Sequence, residues 1–417
     1  MNASDVEIMA PVGSMESLMA AIQGNADSVY FGIGHLNMRS RSSKNFTVDD
    51  LASIASIAGK HHLRTYITLN TVVYDEELDE ARKIIEAARA NGITAIIASD
   101  QAVIQYANKV GMEVHMSTQA NITNLEAVRY WSQYADVMVT ARELNLDQVA
   151  YITREIEARK ITGPSGKLVQ IEVFAHGALC MAVSGKCYLS LDNLNSSANR
   201  GACLQQCRRP YHVTDDDGIE LVVDNEYIMS PKDLKTLDFL DKILNAGVRV
   251  LKIEGRGRSA DYVKTVSKVY REAADAWFEG AFTEENRERW NRELASVYNR
   301  GFWDGYYLGR KMGEWAEQYG SLATKRKVYI GKVTNFFTKL NVAEIKMETH
   351  DLAIGDEIKI IGSTTGVYED VIKEIRVDLE KVERTEKGED FSIPVREVVR
   401  RGDKVYKVVD ADPAQGL

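Results

Sequence analysis

Cysteine and proline are scarce in this 417-residue chain, which holds four of the first and six of the second. So few prolines, beside 29 glycines, exclude a collagen-like or low-complexity chain. Four thiols cannot staple a chain this long, and disulfide scaffolds belong to small secreted domains. A basic surplus is missing as well: 52 Lys and Arg face 61 Asp and Glu, a formal charge of -9. That excludes general nucleic-acid binding by a basic surface, so any such contact has to be a local patch. No apolar run approaches the roughly 18 residues of a membrane span. The opening Met1-Asn2-Ala3-Ser4-Asp5-Val6-Glu7 lacks the basic stretch of a secretory leader. A cytoplasmic protein without membrane contact is expected; composition leaves open whether it forms a homo-oligomer or has a protein partner. Also absent are HExxH, G-x-S-x-G and an obvious Ser/His/Asp order, which leaves proteolysis without residue-level support.

What is present is alternation. Short β-branched runs at 7–10, 28–32, 64–70, 95–99, 113–117, 136–140, 168–175 and 250–254 are separated by amphipathic stretches. In 75–91, for example, Leu78, Ala81, Ile84, Ile85 and Ala88 recur with a helical period. Eight strands, each followed by a helix, predict an α/β fold, a (β/α)8 TIM-like barrel, with a doubly wound open sheet as the alternative. The barrel is assigned to residues 1–325, with an insertion at 176–249 between strands seven and eight. Helices are expected over 259–279 and 284–298. From 326 to 417 the texture changes to short alternating strands at 328–333, 343–347, 357–361 and 404–409, with turn signals such as Ile354-Gly355-Asp356. That predicts a small C-terminal all-β barrel domain. Its 16 basic and 18 acidic residues give it no net basic face.

All four cysteines lie in the insertion, spaced Cys180-x6-Cys187-x15-Cys203-x3-Cys207. Thiolates gathered in one excursion suit an iron–sulfur cluster or a structural zinc ion, unless they are unrelated. Zinc knuckles pair ligands two to four residues apart, so the six-residue gap favours the larger cluster. Gly177, Gly185 and Gly201 would let the backbone wrap closely.

The run Glu172-Val173-Phe174-Ala175-His176-Gly177-Ala178-Leu179-Cys180, with Ser184-Gly185-Lys186-Cys187-Tyr188-Leu189-Ser190, resembles the signature of the collagenase-like peptidase family of unassigned catalytic type. Ala10-Pro11-Val12-Gly13-Ser14, Ser117-Thr118-Gln119-Ala120-Asn121, Leu251-Lys252-Ile253-Glu254-Gly255-Arg256 and Asn299-Arg300-Gly301-Phe302 extend the similarity over nearly the whole chain. The resemblance implies a [4Fe-4S] cluster on Cys180, Cys187, Cys203 and Cys207. It also implies dependence on prephenate, because several family members are hydroxylation enzymes of that kind. Length and tail are most similar to members that convert the tRNA wobble uridine to 5-hydroxyuridine, which makes the tRNA anticodon loop the expected partner. Hydroxylation of ribosomal RNA and collagenase-like peptidase activity are the alternatives.

In a parallel barrel the chemistry lies past the C-terminal strand ends. Those positions hold Arg39, Gln119, Arg142, His176, Glu254, Arg256 and Arg258. Guanidinium groups bind carboxylates bidentately, so Arg39, Arg142, Arg256 and Arg258, with Gln119, are candidates for holding a small dicarboxylate such as prephenate. Glu254, His115 and His176 are the candidate catalytic groups, the histidines for proton transfer near neutral pH. Gly255-Arg256-Gly257-Arg258-Ser259-Ala260 also satisfies G-x-G-x-x-A after a strand, but two arginines crowd the place of a pyrophosphate. Arg200, Arg208 and Arg209, with Tyr188 and Tyr211, bracket the cysteine loop and could meet RNA phosphates and bases, as could Phe336 or Phe337 in the tail.

Overall fold

The computed structural model describes residues 2–41, 45–212, 214, 227, 229–309, 314–318 and 320–411. Eight parallel strands run in chain order Glu7–Pro11, Ser28–Gly32, Arg64–Leu69, Ala95–Ala98, Glu113–Met116, Val137–Val139, Gln170–Gly177 and Val250–Ile253. Each pairs with the next, and the eighth pairs with the first, Glu7 opposite Val250, so the sheet closes into a barrel. Most are buried along their length, as strands covered on both faces must be. The open-sheet alternative is thereby set aside.

The excursion between strands seven and eight returns through a short strand, Asp233–Lys235, antiparallel to the end of strand seven, with Phe302–Trp303 beside it. Neither short strand is evident in the sequence. Two helices, Ala260–Phe278 and Glu284–Ser296, follow the eighth strand. Beyond them lies an antiparallel sheet of eight strands between Lys325 and Asp410, with a two-stranded ribbon beside it and an apolar core of its own. Its ladder runs from Gly366–Val371 at one edge to Glu380–Val382 at the other. The four strands foreseen in the tail are joined by six others, four of which are only three residues long and alternate too briefly to stand out.

The tail rests on the barrel. Val367 joins the barrel's core cluster, and Gln23 exchanges hydrogen bonds with Thr365 and Val367 at 3.0 and 2.8 Å. Asp261, in the first turn of Ala260–Phe278, receives Lys327 and Lys359 from the tail. No helix of the described residues is long and apolar enough to cross a membrane.

Candidate active site

A cavity of about 280 Å³ opens at the C-terminal face of the barrel, and the cysteine loop forms one wall of it. Parity along the strands places its floor. Side chains alternate across a strand, so Lys252 and Glu254 face inward from the eighth strand and its end, and Glu172 and Phe174 face inward from the seventh. Lys252 Nζ bonds Glu172 Oε1 at 2.7 Å, and both side chains are buried. The same ammonium lies 4.7 Å from the Tyr30 ring and 5.7 Å from Phe174.

Above this floor the residues expected past the strand ends do converge. Arg39, Gln119, Arg142, Glu254, Arg256 and Arg258 all line the cavity. Arg39 Nη2 bonds Glu254 Oε1 at 2.7 Å. Burial alone would raise the Glu254 carboxyl; Arg39, Arg258 and Arg142 overrule it and hold it at about 2. Arg256 folds back into the barrel and donates to Thr68 Oγ1 at 2.7 Å and Asn37 Oδ1 at 3.1 Å. Burial brings its guanidinium down to about 10. Arg142 stacks 4.0 Å over Phe174 with Nε and Nη1 buried and unpartnered, and Arg258 stacks 3.6 Å over Tyr298. None of these three arginines has a carboxylate within ion-pair reach among the described residues. Arg256 is buried and Arg142 and Arg258 are half-buried, and all of them share the one nearby carboxylate of Glu254 with Arg39, so the cavity carries surplus positive charge that suits an anion. The dinucleotide reading of 255–260 is set aside, because Arg256 fills the space beneath the loop. Gly255 is required for another reason: a Cβ there would stand 2.6 Å from the Tyr262 ring.

The two histidines are elsewhere. His176 is buried outside the barrel wall against Tyr262, Tyr270 and Phe302, and burial with Lys235 nearby lowers it to about 3. It stays neutral, off the cavity, so a proton-transfer role is withdrawn. His115 lies inside the barrel on the Tyr66 ring at 4.5 Å, bonded to Glu113 at 3.1 Å, and does not line the cavity either. Lys252 and Glu172 are the residues that strand-end reasoning passes over. The signal available was a charge inside an otherwise apolar strand.

All four cysteines are free and line the cavity. Burial pushes the Cys207 thiol up; Arg208 opposes this and the other three thiols add to it, so the four sense one another. Among the described residues no three metal-ligating side chains are already gathered on one point. The loop is seated on the barrel by glycines in left-handed conformation. A Cβ at Gly201 (φ +76°) would stand 2.2 Å from the Asn37 carbonyl, and one at Gly185 (φ +76°) 2.7 Å from Gln119 Nε2. Four free thiols on one closely seated loop thus border the same cavity.

Two of the basic residues expected to meet RNA serve the loop instead. Arg200 forks onto Glu77 and stacks 4.0 Å from the Tyr74 ring. Arg208 donates to Leu179 O, Pro231 O and Ser230 Oγ at 2.6, 2.7 and 3.0 Å. Arg209 and Tyr188 are exposed, Tyr211 bonds Gln206 O at 2.9 Å, and Phe336 packs on the tail's core while Phe337 is exposed.

A barrel with a charged pocket walled by a thiol-bearing loop is an enzyme's architecture. The chain belongs to peptidase family U32, whose model matches residues 13–317. It is 58% identical over 98% of its length to a protein of Porphyromonas gingivalis strain W83 named collagenase, covering 99% of that relative. It is 32% identical to tRNA hydroxylation protein P1 of Bacillus subtilis, covering 85% of this chain and 83% of that one. It is 35% identical to the 23S rRNA 5-hydroxycytidine C2501 synthase of Escherichia coli over 66% of this chain and 40% of that one.

Proposed function

We propose that this enzyme hydroxylates RNA, converting the wobble uridine of tRNA to 5-hydroxyuridine, with a [4Fe-4S] cluster on Cys180, Cys187, Cys203 and Cys207 and prephenate as co-substrate. One observation carries the reading: four free thiols and three arginines without carboxylate partners surround the same cavity at the barrel mouth. When bound, such a cluster supplies one-electron chemistry. Arg142, Arg256 and Arg258 take the carboxylates of the small ligand, and Glu254, fixed as an anion by Arg39, repels misplaced ones. Exposed Tyr188 and Arg209 of the cysteine-bearing excursion suit an unpaired, splayed base and its phosphate. The RNA-hydroxylating relatives named above support the reaction class.

Peptidase activity is the second reading, favoured by the name of the Porphyromonas relative. Against it, no histidine lines the cavity among the described residues, and a thiol nucleophile needs a neighbouring base. Nucleoside analysis of tRNA from a strain lacking the gene decides between them. Loss of 5-hydroxyuridine and its derivatives, restored by the wild-type gene, is expected. Unchanged tRNA together with lost collagen-peptide cleavage would establish the peptidase.

A further inference from the structure

Three cations and two aromatic rings alternate across the cavity floor. Arg142 lies over Phe174; Lys252 stands between Phe174 and Tyr30; Arg256 lies 5.8 Å from the Tyr30 ring. The three are not electrically alike. Lys252 is balanced by Glu172 at 2.7 Å, whereas the arginines bond only neutral groups or stack.

An ammonium has three N–H donors. Glu172 takes one of them, and among the described residues no other oxygen accepts from Lys252. The residue lines the cavity although its side chain is only 6% exposed. A neutralised ammonium gains little from a second carboxylate, yet it still donates to a neutral oxygen at the buried end of a ligand. The arginines keep net charge and a fork geometry that matches carboxylates.

We infer that Lys252 determines specificity in this cavity, reading a neutral oxygen, keto or hydroxyl, of the dicarboxylate whose carboxylates the arginines hold. Glu172 is a positioning residue: it fixes the lysine and cancels its charge, so that the lysine discriminates by hydrogen bonding. This rests on the proposed function only in taking the ligand to be a small dicarboxylate. It adds which residue recognises that ligand's neutral oxygen. A site built to donate to an oxygen rejects the analogue lacking it, because the donor is then left buried and unpaired.

The probes are 2-oxoglutarate and glutarate, which differ only in the keto oxygen, titrated calorimetrically into anaerobically purified full-length protein. Wild type is expected to bind 2-oxoglutarate about tenfold more tightly. K252M alone would strand the Glu172 charge and could unfold the barrel, so the informative variant is K252M/E172L, which replaces the buried pair by apolar side chains. That variant is expected to bind both probes within about twofold of each other while still holding glutarate through the arginines. E172Q returns net charge to Lys252 and is expected to bind glutarate several-fold more tightly than wild type, a gain that mere structural damage would not give. Equal affinities in wild type, a preference that survives in the double variant, or binding of neither probe would overturn the inference. A normal keto preference beside unchanged tRNA nucleosides would instead remove the RNA reading and leave this one standing.

Discussion

Phe174 and His176 are two residues apart on one strand, yet they face opposite sides of the barrel wall. A bulge opens between them: Phe174 is paired with Lys252, and His176 with Ile253. Strict alternation would have carried His176 into the cavity above Phe174. The extra residue turns it outward, where aromatic rings enclose it.

That placement sets its titration. An exposed imidazole in the unfolded chain binds a proton below about pH 6.5, whereas the folded one waits until about 3. Unfolding therefore takes up a proton between these values, and His176 contributes stability that is present above 6.5 and lost as the pH falls toward 3. H176F, which keeps an aromatic ring in the box, should flatten this part of the profile by on the order of 2–4 kcal/mol. Urea midpoints of both proteins between pH 7 and 4 measure it. Activity of H176F should keep the wild-type pH dependence, and an altered profile would restore the histidine to the mechanism.

Glu254 titrates in a lower window. Its carboxyl ionises at about 2 in the fold, against about 4.3 unfolded, so its contribution is present above pH 4.3 and disappears as the pH falls toward 2. E254Q should therefore be less stable than wild type at pH 6 by on the order of 2–3 kcal/mol, and the gap should shrink to about half near pH 3 and close toward pH 2. In R39M the carboxyl loses its main counter-charge and its folded value rises toward the unfolded one, so the decline still begins near pH 4.3 but is smaller and ends at higher pH. Thermal melts across this range test both; a gap between wild type and E254Q that stays constant with pH would refute the assignment.

The thiols give a compositional prediction. Anaerobically purified wild type should be brown and hold about four irons per chain with thiolate-to-iron absorption near 400 nm. Replacing any one of Cys180, Cys187, Cys203 or Cys207 by Ser should lower the iron content and bleach the protein. G201A touches no sulfur, but its methyl would meet the Asn37 carbonyl at 2.2 Å, so it should loosen the loop and shorten the cluster's lifetime in air at least several-fold. A colourless wild type with one zinc per chain would overturn the cluster.

Much of this site was legible because barrel chemistry obeys position. Eight buried β-branched runs announce the strands, and Arg39, Gln119, Arg142, Glu254, Arg256 and Arg258 follow from where those runs end. Three kinds of information were not on the surface of the sequence. Strand-end counting says nothing about which way a side chain points, so a bulge defeated it at His176. Lys252 and Glu172 look like interruptions of apolar strands until parity is applied, when each falls on the inward face. Arg200 and Arg208 read as free cations because their partners, Glu77 and the carbonyls of Leu179 and Pro231, are distant in sequence.

The arginine loop is held from behind by the tail. Asp261 lies three residues beyond Arg258, is buried, and receives Lys327 and Lys359; burial alone would raise its carboxyl, but the two lysines keep it below its usual range. Removing the carboxylate strands Lys327 in a partly covered interface, while Lys359 keeps Glu369 at 3.0 Å, and leaves the first helical turn after the loop no longer anchored. D261A should therefore cost on the order of 2–4 kcal/mol, while D261E, which keeps the charge, should cost less. If the anchor also sets the position of Arg258, D261A should weaken dicarboxylate binding several-fold with the thiol-bound iron unchanged. A stability loss without any change in dicarboxylate affinity would confine Asp261 to holding the tail against the barrel.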